Sequence, residues 1–161
     1  MALIACESPH MEYRMVGCAS LPSPRAAATS FVVGDYAYVF GGRDSAGTYL
    51  NDLWQYDTQN DTWTSLGKTP LKERVNATAC VHHGVAYIGL GFNGRYSNST
   101  GYLQDWWAYD PSTNTWQPLS NYPANTTARA VCMVGEGKLY VGYGFCWTYE
   151  RDMYRYDIVE D

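Results

Sequence analysis

Short apolar runs alternate with polar residues along nearly the whole chain, and turn residues interrupt them every few positions. In the first stretch, Ala27 to Val33 reads as a strand, Gly34 and Asp35 as a turn, and Tyr36 to Phe40 as a second strand that Gly41 and Gly42 end. Leu53 to Asp57 alternates as a third strand. Thr58 to Asp61 turns the chain, and Thr62 to Leu66 makes a fourth. No window carries the i, i+3, i+4 apolar spacing of a helix. The pattern predicts an all-β protein.

The same unit recurs. Tyr38-Val39-Phe40-Gly41-Gly42, Tyr87-Ile88-Gly89-Leu90-Gly91 and Tyr140-Val141-Gly142-Tyr143-Gly144 align without gaps, at spacings of 49 residues (38 to 87) and 53 (87 to 140). Each is followed by a second landmark: Asp52 to Asp57, Asp105 to Asp110 and Asp152 to Asp157, all ending in Tyr-Asp. Trp63 and Trp116 stand six residues beyond the closing Asp in the first two copies. Three landmarks in a fixed order define a structural repeat.

Composition narrows the picture. The chain has 161 residues, 15 Tyr and 6 Trp, with only 17% charged residues, which suits strands with large cross-strand side chains. A net charge of −5 offers no basic patch for nucleic acid, so that partner is not expected. No run approaches the length of a membrane-spanning helix. Among the five cysteines there is no CxxC pair or zinc spacing. Cys80 and Cys132 fall inside apolar strands and read as small buried hydrophobes. Cys18 and Cys146 remain open to pairing in an oxidising compartment. Leu3-Ile4-Ala5-Cys6 resembles a lipobox, which would make Cys6 a lipid-anchor site, although the basic and long apolar regions of an export signal do not precede it.

Arg25 and Arg74 ahead of first strands, the double glycine, the Tyr-Asp pair and the later Trp together resemble the kelch repeat, over about residues 12–161. Asp52-Leu53-Trp54-Gln55-Tyr56-Asp57 and Asp105-Trp106-Trp107-Ala108-Tyr109-Asp110-Pro111 look most like exported bacterial kelch proteins. The resemblance implies a kelch-type β-propeller of about three four-stranded blades. Its parts are a tail at 1–11, a fourth strand of a closing blade at 12–18, blades at 25–66 and 74–120, and an incomplete blade at 127–157. It further implies a periplasmic or outer-membrane-anchored protein, with a cytoplasmic one as the alternative. Departures are informative: Gly-Leu-Gly and Gly-Tyr-Gly replace adjacent glycines, and Thr127 takes the register of Arg25 and Arg74. Arg129 lies two residues on, which keeps the same face of a regular strand. Three blades are too few for a closed ring, so the chain reads as half of a longer propeller. The alternatives are one of two copies completing a six-bladed ring, or an open array.

Connectivity puts the loops between second and third strands on the same face as the links between blades. Those loops hold most of the length variation, and recognition concentrates in such loops. They carry Arg43, Phe92, Asn93, Arg95, Tyr96, Trp147, Tyr149, Glu150 and Arg151; Arg25, Arg74 and Arg129 open first strands on that face. Guanidinium donors beside aromatic rings suit a sugar ring, a carboxylate or an acidic peptide, so the expected partner is a glycan or protein. Arg25 and Arg74 have an alternative role, tying blades together by hydrogen bonds.

Catalytic readings are thinner, and binding is favoured over chemistry; a purely structural propeller with nothing bound in the mouth is the remaining alternative. Kelch propellers include copper radical oxidases, but His82 and His83 are adjacent and expected on opposite faces of a strand, which does not favour shared chelation. No cofactor is expected. The family also includes sialic-acid mutarotases, for which Glu150 and Arg151 are the nearest pair suited to proton transfer and carboxylate binding.

Overall fold

A computed structural model describes residues 14–94, 101–124, 127–146 and 148–158. The first blade consists of β1 (Thr29–Val33), β2 (Tyr36–Phe40), β3 (Asp52–Asp57) and β4 (Thr62–Lys68), paired antiparallel in chain order. The second repeats the order with β5 (Thr78–His82), β6 (Val85–Gly89), β7 (Trp106–Asp110) and β8 (Thr115–Pro118). The third has β9 (Val131–Gly135), β10 (Lys138–Gly142) and β13 (Met153–Asp157); a small hairpin of β11 (Phe145–Cys146) and β12 (Thr148–Tyr149) fills its loop. No α-helix occurs among the described residues. The strand pattern read from sequence falls within two residues of these bounds in the first blade, but β3 starts one residue earlier and β4 runs two further.

Turn chemistry follows the residues. Asp57 accepts hydrogen bonds from the Gln59 and Asn60 amides, and Asp110 from the Ser112 amide, closing the turns between third and fourth strands. Between β5 and β6, His83 takes φ +46° ahead of Gly84, so the chain leaves the strand before its second histidine. The two imidazoles stack at 3.8 Å. This corrects the expectation that they face opposite ways, because period-2 alternation ends where backbone φ turns positive.

The blades fan about their first strands, which lie side by side with β5 between β1 and β9. The Thr29 hydroxyl donates to the Ala77 carbonyl at 2.7 Å, and the Thr78 hydroxyl to Ala130 at 2.8 Å. The Asn76 amide donates to Ala27, and the Arg129 amide to Asn76, so one ladder joins the entries of the three first strands at a common mouth. Gly42 and Gly91 donate to the carbonyls of Arg74 and Thr127 on the next blade. Their positive φ and close backbone neighbours leave no room for a side chain.

Two apolar clusters fill the blade boundaries. Phe31, Tyr38, Phe40 and Leu53 of the first blade meet Ala86, Ile88 and Tyr109 of the second. Trp107 and Trp116 pack against this cluster. Tyr87, Leu90 and Trp106 meet Leu139 and Val141 of the third. Volume is exchanged within the repeat: Phe40 faces Leu53 across β2 and β3, whereas Gly89 faces Trp106 across β6 and β7. Each such ring or branched side chain contributes about 1.5–3 kcal/mol when fully buried.

Cys80 and Cys132 form a disulfide between β5 and β9. The reading of both as isolated buried hydrophobes is therefore corrected: facing positions on adjacent blades bring the sulfurs together. Cys6 and Tyr13 lie outside the described residues. Of the segment read as a closing fourth strand, residues 14–18 are exposed for the most part and carry no strand.

Candidate functional site

The face expected to carry recognition is built from the blade links and the second-to-third-strand loops, stitched by isolated bridges. Ala26 pairs with Arg43, Val75 with Phe92 and Ala128 with Phe145. Each first strand therefore begins beside its own blade's loop.

Arg25 and Arg74 belong to the scaffold. The Arg74 guanidinium donates to both Asp105 carboxylate oxygens at 2.7 Å and to the Leu90 carbonyl at 3.0 Å; its Nε donates to Lys72 at 2.9 Å. Arg25 repeats the clasp with Asp52 at 2.7 and 2.9 Å, the Gly41 carbonyl and Ser23. The side chains of Arg25 and Arg74 are 2% and 0% exposed. Neither is available to a ligand, which corrects their selection as binding residues. The side-chain bonds stay within one blade, joining the link to the start of the third strand; the tie between neighbouring blades at Arg74 is made by its backbone, which accepts from Gly42 and donates to Leu50. Indole N–H groups complete the acids, Trp54 on Asp52 and Trp107 on Asp105. Burial pushes the Asp52 carboxyl upward, but the hydrogen bonds from Arg25 and Trp54 and the Arg25 charge outweigh it and hold Asp52 below its usual value.

Arg129 behaves differently. It sits at φ +61°, in register with Ala27 at +56° and Asn76 at +53°, at the ladder around the mouth. The same-face argument from a shift of two does not apply at this irregular position. Thr127 fills the arginine register and is fully buried, while Arg129 is exposed and makes no side-chain hydrogen bond or ion pair among the described residues. Holding a long L-residue at positive φ costs on the order of 1 kcal/mol. Beside it, Val131, Tyr143, Gly144, Phe145 and Tyr149 line an open cleft of about 390 Å³. Phe145 and Tyr149 meet edge to face at 5.5 Å, and Tyr149 is 89% exposed.

The other sequence candidates separate. Arg43 and Arg151 are exposed on this face, and the Glu150 amide donates to Gly144. Phe92 packs on Tyr102 at 4.8 Å. Asn93 is fully buried and donates to the Glu73 carbonyl, so it holds the loop rather than facing outward. Arg95, Tyr96 and Trp147 lie outside the described residues. Reading the sequence missed Asn76 and Tyr143. The register that aligns Arg74 with Thr127 also aligns Asn76 with Arg129, and an asparagine there signals positive φ.

The family described as the KLHDC2/KLHL20/DRC7 Kelch-repeats domain matches residues 7–161. Kelch domain-containing protein 3 of Homo sapiens is 29% identical over 118 residues, 65% of this chain and 30% of that protein. An N-acetylneuraminate epimerase of Shigella flexneri is 34% identical over 128 residues, 76% of this chain and 33% of that enzyme. The solved structure of YjhT, a kelch propeller, superposes with a TM-score of 0.66 at 25% identity, covering 79% of this chain and 47% of that one. The chain thus spans about a third of these curated relatives and about half of that propeller. With three tyrosine-anchored sheets set side by side through their first strands, this chain belongs to the kelch-repeat domain family.

Proposed function

We propose that this chain is a recognition module that takes a carboxylate-bearing ligand, an acidic polypeptide or glycan, at the mouth beside Arg129. The observation that carries the reading is the contrast among three strand entries. Two arginines are buried against aspartates, while Arg129 is exposed, unpaired among the described residues and next to an aromatic cleft. A planar guanidinium offers a carboxylate two parallel hydrogen bonds. Tyr143, Phe145 and Tyr149 offer stacking surface of the kind sugars and peptides use. Arg43 and Arg151 extend the positive character of the same face. Glycan and peptide arrays probed with the wild type and with Arg129→Gly test this. Binding lost in the variant supports the reading, whereas equal binding, or none by the wild type, refutes it.

A second reading is catalysis of sugar-acid anomer exchange, favoured by the identity to N-acetylneuraminate epimerases. Glu150 and Arg151 would then supply proton transfer and carboxylate binding. Faster exchange of a free sialic acid in the presence of the chain, abolished by Glu150→Gln, would establish it over simple binding.

Export fits either reading. The disulfide between β5 and β9 is the kind of bond that persists in oxidising compartments. Lipidation at Cys6 and completion of a six-bladed ring by a second copy are further proposals. Mass spectrometry of the cellular protein checks the first and light scattering the second.

A further inference from the structure

The boundary between the second and third blades carries more aromatic surface than the first. Register places Trp106 where the first boundary has Leu53, and Tyr122 where it has Thr69. Leu71, fully buried, helps to fill the first boundary, and the smaller Ala124 takes its register at the second. A cleft of about 260 Å³ opens there, lined by Trp106, Tyr122, Val141, Tyr154 and Tyr156. Trp106 and Tyr122 are 4% and 8% exposed, and the Tyr122 and Tyr154 rings meet edge to face at 5.2 Å. The rings in the registers of Tyr154 and Tyr156 on the second blade are engaged: Trp107 donates to Asp105, while Tyr109 donates to Asn114 and stacks on Trp116 at 4.4 Å. The hydroxyls of Tyr122, Tyr154 and Tyr156 make no hydrogen bond among the described residues.

We infer that this cleft is an aromatic cage for a quaternary ammonium group. The faces of tryptophan and tyrosine rings are negative and draw a cation lying within about 6 Å of the ring centre. The charge around the cleft has the matching sign. Burial first, then Tyr154, Asp152 and Glu150, pushes the Tyr122 phenol up to about 12, so the phenol stays neutral while Asp152 and Glu150 bear on the cleft. Arg155, which also lines it, is already met by Asp157 at 2.9 Å. An anion is therefore disfavoured. Among cations, ammonium and guanidinium groups carry N–H donors that need acceptors, and none of the described residues lining the cleft is a carboxylate. A quaternary ammonium has no N–H to satisfy, and its methyl groups gain by leaving water. The space is sufficient, since an apolar cavity of about 150 Å³ already takes benzene. The cleft shares no lining residue with the one beside Arg129, and the cage stands whether or not that mouth binds an acid.

The experiment titrates choline against the isotopically labelled chain and follows amide shifts, with the uncharged carbon isostere of choline as control. The cage predicts saturating shifts at Trp106, Tyr122 and Tyr154 with choline, and binding of the isostere weaker by about tenfold. Tyr154→Leu removes a ring face and weakens choline binding about tenfold, whereas Tyr154→Trp, which restores the ring that the second blade carries in this register, retains it. Asp152→Asn weakens it about threefold, through the lost field. Arg129→Gly leaves it unchanged. Equal binding of the isostere overturns the proposal, as does an absence of saturable shifts, a response that survives Tyr154→Leu, or one that vanishes with Arg129→Gly. If Tyr154→Leu does not fold, the isostere and Tyr154→Trp decide. Phosphatidylcholine vesicles identify the source of the group: co-sedimentation that choline displaces assigns it to a lipid headgroup, and choline binding without co-sedimentation to a free molecule.

Discussion

Cys80 of β5 and Cys132 of β9 are joined across the boundary between the second and third blades, with Cα atoms 5.8 Å apart. The corresponding positions at the first boundary are Phe31 and Ala79, which pack without a covalent link. The bond closes a sequence separation of 52 residues, for which loop-closure entropy gives about 4 kcal/mol as an upper figure. Alkylation of the unfolded, unreduced chain should leave both cysteines unlabelled, and prior reduction should label both. Denaturant unfolding with and without reductant should differ by about 2–4 kcal/mol. Labelling of either cysteine without reduction would contradict the assignment.

Arg74→Met should destabilise the chain by about 3 kcal/mol, because a fully buried cation is removed and Asp105 is left with one indole donor. The figure is set at the low end of the buried-pair range because the Asp105 side chain is 32% exposed. Arg74→Lys should recover only part of it, since an ammonium cannot reproduce the fork. Urea titration measures the loss. Unchanged stability accompanied by weakened ligand binding would instead return Arg74 to the recognition face.

Most of the fold was legible because it rests on two periods, alternation within strands and a spacing near 50 residues between tyrosine anchors. Both survive in Tyr38, Tyr87 and Tyr140, whatever their tertiary partners. The clasp was less legible: Arg25 reads as a free cation until β3 is known to bring Asp52 beside it, 27 residues away in sequence. The disulfide was hidden by its offset. Cys80 shares a register with Met133, and Cys132 with Ala79, so the cysteines are not repeats of one position. Residues facing each other on adjacent blades are expected to differ by one in register, which is the signal that could have found them. Arg129 and His83 defeated strand alternation for one reason, positive φ.

Acid should weaken the first blade through Asp52. Its folded-state pKa lies below the ordinary value, so the native state binds the proton less tightly than the unfolded chain. The stabilisation is complete above the unfolded value of about 4 and is lost as pH falls through the folded value. The stability gap between wild type and Asp52→Asn should therefore be widest near neutrality and narrow below about pH 4. Denaturant titration at each pH measures it, and a constant gap would show that the pair adds nothing through ionisation. The alkaline limb has the opposite sign. Burial, with the neighbouring Tyr38 and Asp110, pushes Tyr109 up to about 12, so stability from that phenol fades as pH rises through that value.

Arg129→Gly separates structure from recognition most cleanly. Glycine adopts the φ of +61° found there without steric cost, and among the described residues the arginine side chain gives up no hydrogen bond. Its amide still donates to Asn76, so the ladder at the mouth is retained. Relief of strain at a compatible site is worth about 1 kcal/mol, offset in part by the greater freedom of glycine in the unfolded chain. Stability should stay within about 1 kcal/mol of wild type while affinity for an acidic ligand falls at least tenfold, the change expected when a charge-assisted pair is lost. Thermal melts and binding isotherms on the same preparations read both quantities. A large fall in Tm would mean that the guanidinium supports the fold, and the mouth would then lose its claim as a recognition site.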